Sequence, residues 1–158
     1  MADAVTTIPE ILKWTSKVCG WSLRLFYPAE KLQRYLLFDI LANGDRLRYN
    51  FHAQEGTCIL TATNLSPFDF IVDRIKVNVV TDKGGTFSCT HEMPHVVKGS
   101  SQDTIFMLSK SPMTEQVAKL AKNSERGTVT IEAHIVSNIR SFNARKHIED
   151  VRNIRVLA

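Results

Sequence analysis

The sequence lacks the features that mark several large classes of protein. It has three cysteines in 158 residues, Cys19, Cys58 and Cys89, and they are widely spaced. An odd number of cysteines without a CxxC pair gives no disulfide framework and indicates a reducing compartment. No apolar run approaches the roughly 20 residues that a helix needs to cross a bilayer. Residues 1–7 have neither the basic start nor the apolar centre of a signal peptide. We therefore expect an intracellular, cytoplasmic protein.

Neither sign of charge is in large excess. The chain has 20 Lys and Arg residues against 16 Asp and Glu residues, which gives a formal net charge of +4. This surplus permits attraction to anionic lipid headgroups or nucleic acid but is too small to require either. With 44% hydrophobic and 23% charged residues, the composition is that of one globular domain without a bias toward disorder.

Motifs for catalysis are also missing. The sequence has no Gly-x-Ser-x-Gly elbow, no glycine-rich phosphate loop and no paired-carboxylate motif. Cys89, His91 and His95 are close enough together to suggest a metal site, but zinc usually takes four ligands and this stretch supplies three suitable ones. An exposed loop with incidental histidines is the favoured interpretation. The sequence therefore predicts a non-enzymatic protein without a metal ion or a cofactor.

The N-terminal part of the sequence has an amphipathic pattern over residues 9–27. Thr7, Pro9 and Glu10 are typical of a helix start, and Pro28 ends the helix. One face is apolar at helical spacing, basic residues lie on another face, and Trp14 and Trp21 flank the apolar face. The predicted binding surface consists of Ile11, Lys13, Trp14, Lys17, Val18, Trp21, Arg24 and Leu25.

This helix has three possible roles. An apolar face with basic residues and tryptophans is typical of a helix that lies in a membrane surface or binds a protein partner. The same face would also suit packing against the rest of the domain. A third possibility is a homo-oligomer in which two copies bury the apolar face against each other.

Downstream of residue 35 the hydrophobic period changes to that of β-strands. Alternation predicts strands over residues 46–51, 57–63, 70–81, 86–91 and 103–108, another from residue 127 and a final one over 148–157. An apolar run over residues 35–41 is consistent with a buried strand and is followed by a hairpin signal at 43–45. Residues 112–122 predict a short helix capped by Ser111. Asp73 occupies a position that the alternation of its strand assigns to an apolar residue. We therefore expect Asp73 to lie at the rim of the sheet, at a bulge or against a partner.

Seven or eight strands with regularly spaced turns predict a mainly β fold, an antiparallel two-sheet β-sandwich of immunoglobulin or fibronectin outline. The predicted domains are an N-terminal amphipathic helical segment over 1–30 and the β-sandwich over 31–158.

The order of elements over residues 57–156 resembles the group-2 late embryogenesis abundant proteins and the water-stress and hypersensitive-response domain. The resemblance rests on an elbow from Asn64 to Phe68 that contains Pro67, a glycine hairpin at 82–85, a turn at 98–100 and the short helix at 112–121. It implies a stress-related or membrane-proximal β-sandwich without catalytic residues, tethered by an N-terminal segment.

Basic residues near the C-terminus predict nucleic-acid binding as an alternative function. The set comprises Arg140, Phe142, Arg145, Lys146, Arg152 and Arg155. In such an interface the basic side chains hold the phosphate backbone and the aromatic ring stacks on a base. Glu149 and Asp150 interrupt the run. The main prediction is therefore a binding module that docks at a membrane surface or a protein partner through its N-terminal helix.

Overall fold

Alternation of apolar and polar residues places one face of each strand in a shared core between two five-stranded sheets. The computed structural model describes residues 22–40 and 46–157. Residues 22–26 are helical, and two further helices are α1 (Ala29–Tyr35) and α2 (Glu115–Ala121). The strands are β1 (Leu36–Asp39), β2 (Leu47–Asn50), β3 (Glu55–Asn64), β4 (Phe70–Thr81), β5 (Thr86–His91), β6 (His95–Val97), β7 (Ser101–Lys110), β8 (Arg126–Ser137), β9 (Phe142–Arg152) and β10 (Ile154–Leu157).

The first sheet is built around β3. Strand β7 pairs with β3 along its whole length, and β1 and β2 lie end to end on its other side. Both are antiparallel to β3, so they run in the same direction and do not form the hairpin predicted at residues 43–45. Those residues themselves lie outside the described part of the chain. Strand β10 completes the sheet by pairing in parallel with β2.

The second sheet is built around β4, which pairs with β8 on one side and with β5 and β6 on the other. Strand β9 continues the sheet beyond β8. The predicted bounds of β4 and β5 match the structure. A register shift between Val72 and Arg74 places Asp73 at a bulge, one of its three predicted positions. The predicted two-sheet sandwich is confirmed, although the β2–β10 pairing is parallel rather than antiparallel.

The core is filled by inward-facing side chains of both sheets, of which Tyr49, Phe38 and Phe70 are the largest that are fully buried. Burying an aromatic or aliphatic side chain of this size stabilises the fold by about 1.5–3 kcal/mol. Cys58 and Cys89 lie in the same core. Burial raises the pKa of Cys89 to about 12 and the pKa of Cys58 further. Both thiols are therefore protonated at neutral pH and unreactive as nucleophiles.

A buried polar network holds the elbow between β3 and β4. Asn64 is fully buried, and its Nδ2 donates to Phe68 O at 2.7 Å and to Val97 O at 3.1 Å. Its Oδ1 accepts from Ser66 N at 3.0 Å. The side chain thus supplies hydrogen bonds that the turning backbone cannot make in a ladder.

Three elements differ from the sequence predictions. Helix α1 was not predicted, because Pro28 was taken as the end of one helix and not as the cap of the next. The predicted final strand is two strands in different sheets, separated at Asn153, which has a φ of 61°. Helix α2 begins at Glu115 and not at the predicted residue 112, with Ala118 facing the core and Leu120 62% exposed.

Candidate functional site

The helical turn at residues 22–26 is anchored to the sandwich through one face. Leu23 and Tyr27 pack against the core, and the Tyr27 ring meets the Phe68 ring edge-on with centroids 5.1 Å apart. Lys31 Nζ lies 4.7 Å from the centre of the Tyr27 ring, within the range of a cation–π contact. These contacts hold the helical turn against the β3–β4 elbow and α1.

Arg24 strengthens the same anchor. Its Nε donates to Ile139 O at 2.9 Å, and Arg140 Nη2 donates to Arg24 O at 2.6 Å. The two arginines therefore tie the turn between β8 and β9 to the helical turn. Arg24 was predicted as part of the binding surface, and Arg140 as part of the nucleic-acid interface. In the structure both make contacts within the domain.

The opposite face of the helical turn is exposed and apolar. Leu25 is 63% exposed and Phe26 is 70% exposed, although both are large hydrophobic residues. Single exposed apolar residues are common, but two adjacent ones beside an anchored face form an apolar surface that the described residues leave uncovered. The remaining predicted surface residues, Ile11, Lys13, Trp14, Lys17, Val18 and Trp21, lie outside the described residues.

The structure divides the basic C-terminal residues among separate places. Phe142 is buried and packs edge-on against Phe70 with centroids 5.4 Å apart, so it is not available to stack on a base. Lys146 Nζ donates to Phe38 O at 2.7 Å, which bridges the edges of the two sheets. Arg145 lies 3.4 Å from Glu132 on the outer face of the second sheet. Arg152 and Arg155 line a different cleft. One continuous basic and aromatic surface is not formed by this set.

The candidate metal ligands do not come together either. Cys89 points into the core, whereas His91 and His95 are partly exposed, with ring centres 6.3 Å apart. His95 Nε2 lies 2.8 Å from Asp103 Oδ2. Within residues 22–40 and 46–157, no group of three or more His, Cys, Asp or Glu side chains could hold a metal ion.

A cleft between the α2–β8 connection and the β9–β10 junction was not predicted. It has a volume of about 430 Å³, and we call it the Ser124 cleft, with Ser124, Glu125, Arg126, Arg152 and Arg155 among its lining residues. The register of β8 and β9 pairs Arg126 with Arg152, and Arg155 of β10, in the other sheet, lines the same cleft. Arg126 and Arg152 are far apart in sequence, so the sequence signal was limited to separate arginines.

Comparison with known proteins does not assign the chain to a family. No protein-family model matches the chain, and no curated protein matches it at a significant level.

Of the helices that the structure describes, none is long and apolar enough to cross a membrane.

Solved structures with a similar fold include a Northeast Structural Genomics Consortium target, with 12% identity and a TM-score of 0.44 over 75% of this chain and 87% of the other. The sporulation control protein Spo0M of Bacillus subtilis has 10% identity and a TM-score of 0.40 over 73% of this chain and 49% of its own. A protein provisionally assigned to the late embryogenesis abundant group has 10% identity and a TM-score of 0.36 over 90% of this chain and 89% of its own. These values assign neither a family nor a function to the chain.

Proposed function

We propose that this protein is a non-catalytic β-sandwich module that docks at an anionic membrane surface through its N-terminal helix. The observation that carries the proposal is the difference in exposure between the two faces of the helical turn at residues 22–26. Leu23 and Tyr27 face the sandwich, while Leu25 and Phe26 face outward and are mostly exposed.

The exposed face is in phase with the sequence pattern upstream. At about 100° per residue, Trp21, Val18, Trp14 and Ile11 fall within about 40° of Leu25 on a helical projection. A helix that continues over the predicted residues 9–27 would extend the uncovered face of Leu25 through two tryptophans. Aromatic side chains of this kind favour the boundary between headgroups and acyl chains.

The basic residues are placed to complement an anionic surface. Lys13 and Lys17 fall about 80–120° from Leu25 on the same projection, at the border of the apolar face. Lysines at that position reach the headgroup layer while the apolar face enters the membrane. Arg24 falls at the same angle but is used to hold the helix against Ile139. A lipid surface therefore fits this pattern of apolar face and basic border.

Vesicle flotation tests the proposal. The full chain is mixed with vesicles of phosphatidylcholine, with or without phosphatidylserine, and compared with a Leu25→Ser, Phe26→Ser variant. Losing two exposed apolar side chains from the docking face should lower vesicle affinity about tenfold or more. Leu120→Ser is the matched control, because Leu120 is as exposed as Leu25. It lies on α2, away from the N-terminal helix, since Ala121 of α2 lies beside Gly85 near the C-terminal end of β4.

Two results would contradict the proposal. Equal recovery of the full chain and the double variant would exclude the helix as the docking element. Light scattering that shows a dimer for the full chain and a monomer for the double variant would instead support self-association through the same face.

A further inference from the structure

We propose that the Ser124 cleft is a binding site for a phosphate group. The cleft lies beside the start of β8 and the end of β9, at the opposite end of the sandwich from the N-terminal helix. The inference therefore does not rest on the proposed membrane docking.

The first observation is a buried hydroxyl. Ser124 lines the cleft and is 7% exposed, and its Oγ has no hydrogen-bond partner among the described residues. The Ser124 backbone N–H is already used, because it donates to Ala121 O at 2.9 Å. A buried polar atom without a partner is uncommon in a folded protein and calls for a physical reason. A ligand oxygen in the cleft would supply the partner that the hydroxyl lacks.

The second observation is a set of arginine side chains in the same cleft. Arg126, Arg152 and Arg155 all line the cleft. A guanidinium presents several N–H donors in a planar fork, and this geometry matches the oxygens of a phosphate better than a lysine does. The lining residues include these three arginines and one carboxylate, that of Glu125, so the charge of the cleft favours an anion.

Asp150 shows how the arginines are held. Its Oδ1 lies 3.2 Å from Arg126 Nη1, and its Oδ2 lies 3.9 Å from Arg152 Nη2. All three side chains are more than half exposed, so solvent screens these ion pairs and a stronger anion can displace the carboxylate. Asp150 itself lines a neighbouring cleft, so a phosphate in the Ser124 cleft would compete with its carboxylate for Arg126 and Arg152.

The ligand class follows from this chemistry. A phosphate monoester has a tetrahedral group with enough oxygens to accept from two arginines and from Ser124 at the same time. A cleft of about 430 Å³ is also large enough to admit the group to which the phosphate is attached. The phosphate can belong to a soluble molecule or to a lipid headgroup.

Asp150 offers a sharp test with a matched control. Asp150→Asn removes the competing charge, and asparagine tolerates the positive φ of 54° at this position. We expect binding of inorganic phosphate to become about fivefold tighter. Glu149→Gln removes the same charge one residue away, where Glu149 faces His147 at 3.8 Å, and should leave the affinity unchanged.

The complementary variants weaken the site. Arg152→Gln and Ser124→Ala should each lower phosphate affinity, Arg152→Gln by about tenfold or more because it removes a charge-assisted hydrogen bond. Arg145→Gln is the control, since Arg145 lines a different cleft on the outer face of the second sheet. Calorimetry gives the affinities, amide chemical shifts locate the site, and thermal unfolding checks that each variant is folded.

Binding of inorganic phosphate and binding of phosphatidic acid vesicles distinguish a soluble ligand from a lipid headgroup. Saturable binding of inorganic phosphate that moves the amide signals of Ser124 and Arg126 supports a soluble ligand. Arg152-dependent binding to phosphatidic acid vesicles, retained in the Leu25→Ser, Phe26→Ser variant, supports a lipid phosphate. Absence of saturable binding in both arms would overturn the site. Equal effects of Asp150→Asn and Glu149→Gln would also overturn it, because a general charge effect would then explain the data.

Discussion

Replacing Asn64 with alanine should cost a large part of the stability of this fold. The side chain is fully buried at the elbow between β3 and β4 and makes three hydrogen bonds with backbone groups that alanine cannot make. Two are donated by Nδ2 to Phe68 O and Val97 O, and one is accepted by Oδ1 from Ser66 N. At about 1 kcal/mol for each hydrogen bond, the loss is about 3 kcal/mol.

The hydroxyl and the backbone N–H of Ser66 decide how far the loss of stability exceeds the value for three hydrogen bonds. Its Oγ lies 2.7 Å from Asn64 Oδ1 and 3.0 Å from Phe68 O, but it has one proton and donates to one acceptor at a time. In the variant it can turn to Phe68 O, so that carbonyl keeps a donor. Ser66 N has no such substitute for Oδ1, and an unpaired buried N–H adds to the cost. We therefore expect about 3–4 kcal/mol, against a total of roughly 5–15 kcal/mol for a domain.

Urea unfolding followed by circular dichroism measures this loss. With a slope near 2 kcal/mol/M, the midpoint should fall by about 1.5–2 M. Asn143→Ala is the control, because Asn143 is exposed on β9, and it should change stability by less than about 1 kcal/mol. Asn64→Asp keeps the shape but replaces the Nδ2 donor with a carboxylate oxygen, an acceptor that would face the carbonyl oxygens of Phe68 and Val97, so it should be at least as unstable at neutral pH. If Asn64→Ala costs no more than Asn143→Ala, the elbow network does not stabilise the fold as argued.

Two further predictions concern the sheets. A Cβ at Gly127 would lie 2.5 Å from Val80 O. Gly127→Ala should therefore lower the free energy of unfolding by about 1–3 kcal/mol, which thermal denaturation measures. Thr128→Ala is the control, and an unchanged midpoint for Gly127→Ala would contradict the prediction. The pKa of Asp103 is lowered from 3.8 by the Thr104 N–H and by His95. Its stabilising contribution is therefore present above pH 3.8 and lost as the pH falls through the lower folded value. The stability gap between the protein and Asp103→Asn should shrink between pH 5 and pH 2.5, and a constant gap would exclude this pairing.

Regular alternation made β4 and β8 predictable, although it did not identify the 11-residue strand β9. In β4, apolar residues at Ile75, Val77 and Val79 are buried and polar residues between them are not, so a period of two identifies the strand directly. The bulge at Asp73 was visible as a polar residue at an apolar position. The sandwich class follows from such strands and the turns between them.

Other elements could not be predicted because local signals have more than one meaning. Pro28 both ends the helical turn before it and precedes α1, where a proline is equally favourable. Ser111 and Pro112 are typical of a helix start, but Ser111 Oγ accepts from Ser88 N at 3.0 Å and so joins the two sheets. The register that brings Arg126 beside Arg152 depends on tertiary pairing, so the Ser124 cleft is not visible in the sequence.

The parallel pairing of β10 with β2 has a consequence for the time course of folding. Ile154 lies opposite Leu47, a separation of 154 − 47 = 107 residues, whereas most neighbouring strands join partners close in sequence. Closing so long a loop carries a large entropic cost before any contact compensates it, and folding rates fall as such separations grow. The second sheet can assemble from successive hairpins of β4 with β5 and β8 with β9, but the edge of the first sheet waits for this distant partner. Until β10 arrives, β2 presents an open edge to other chains, and that interval is when the folding protein is most exposed to aggregation.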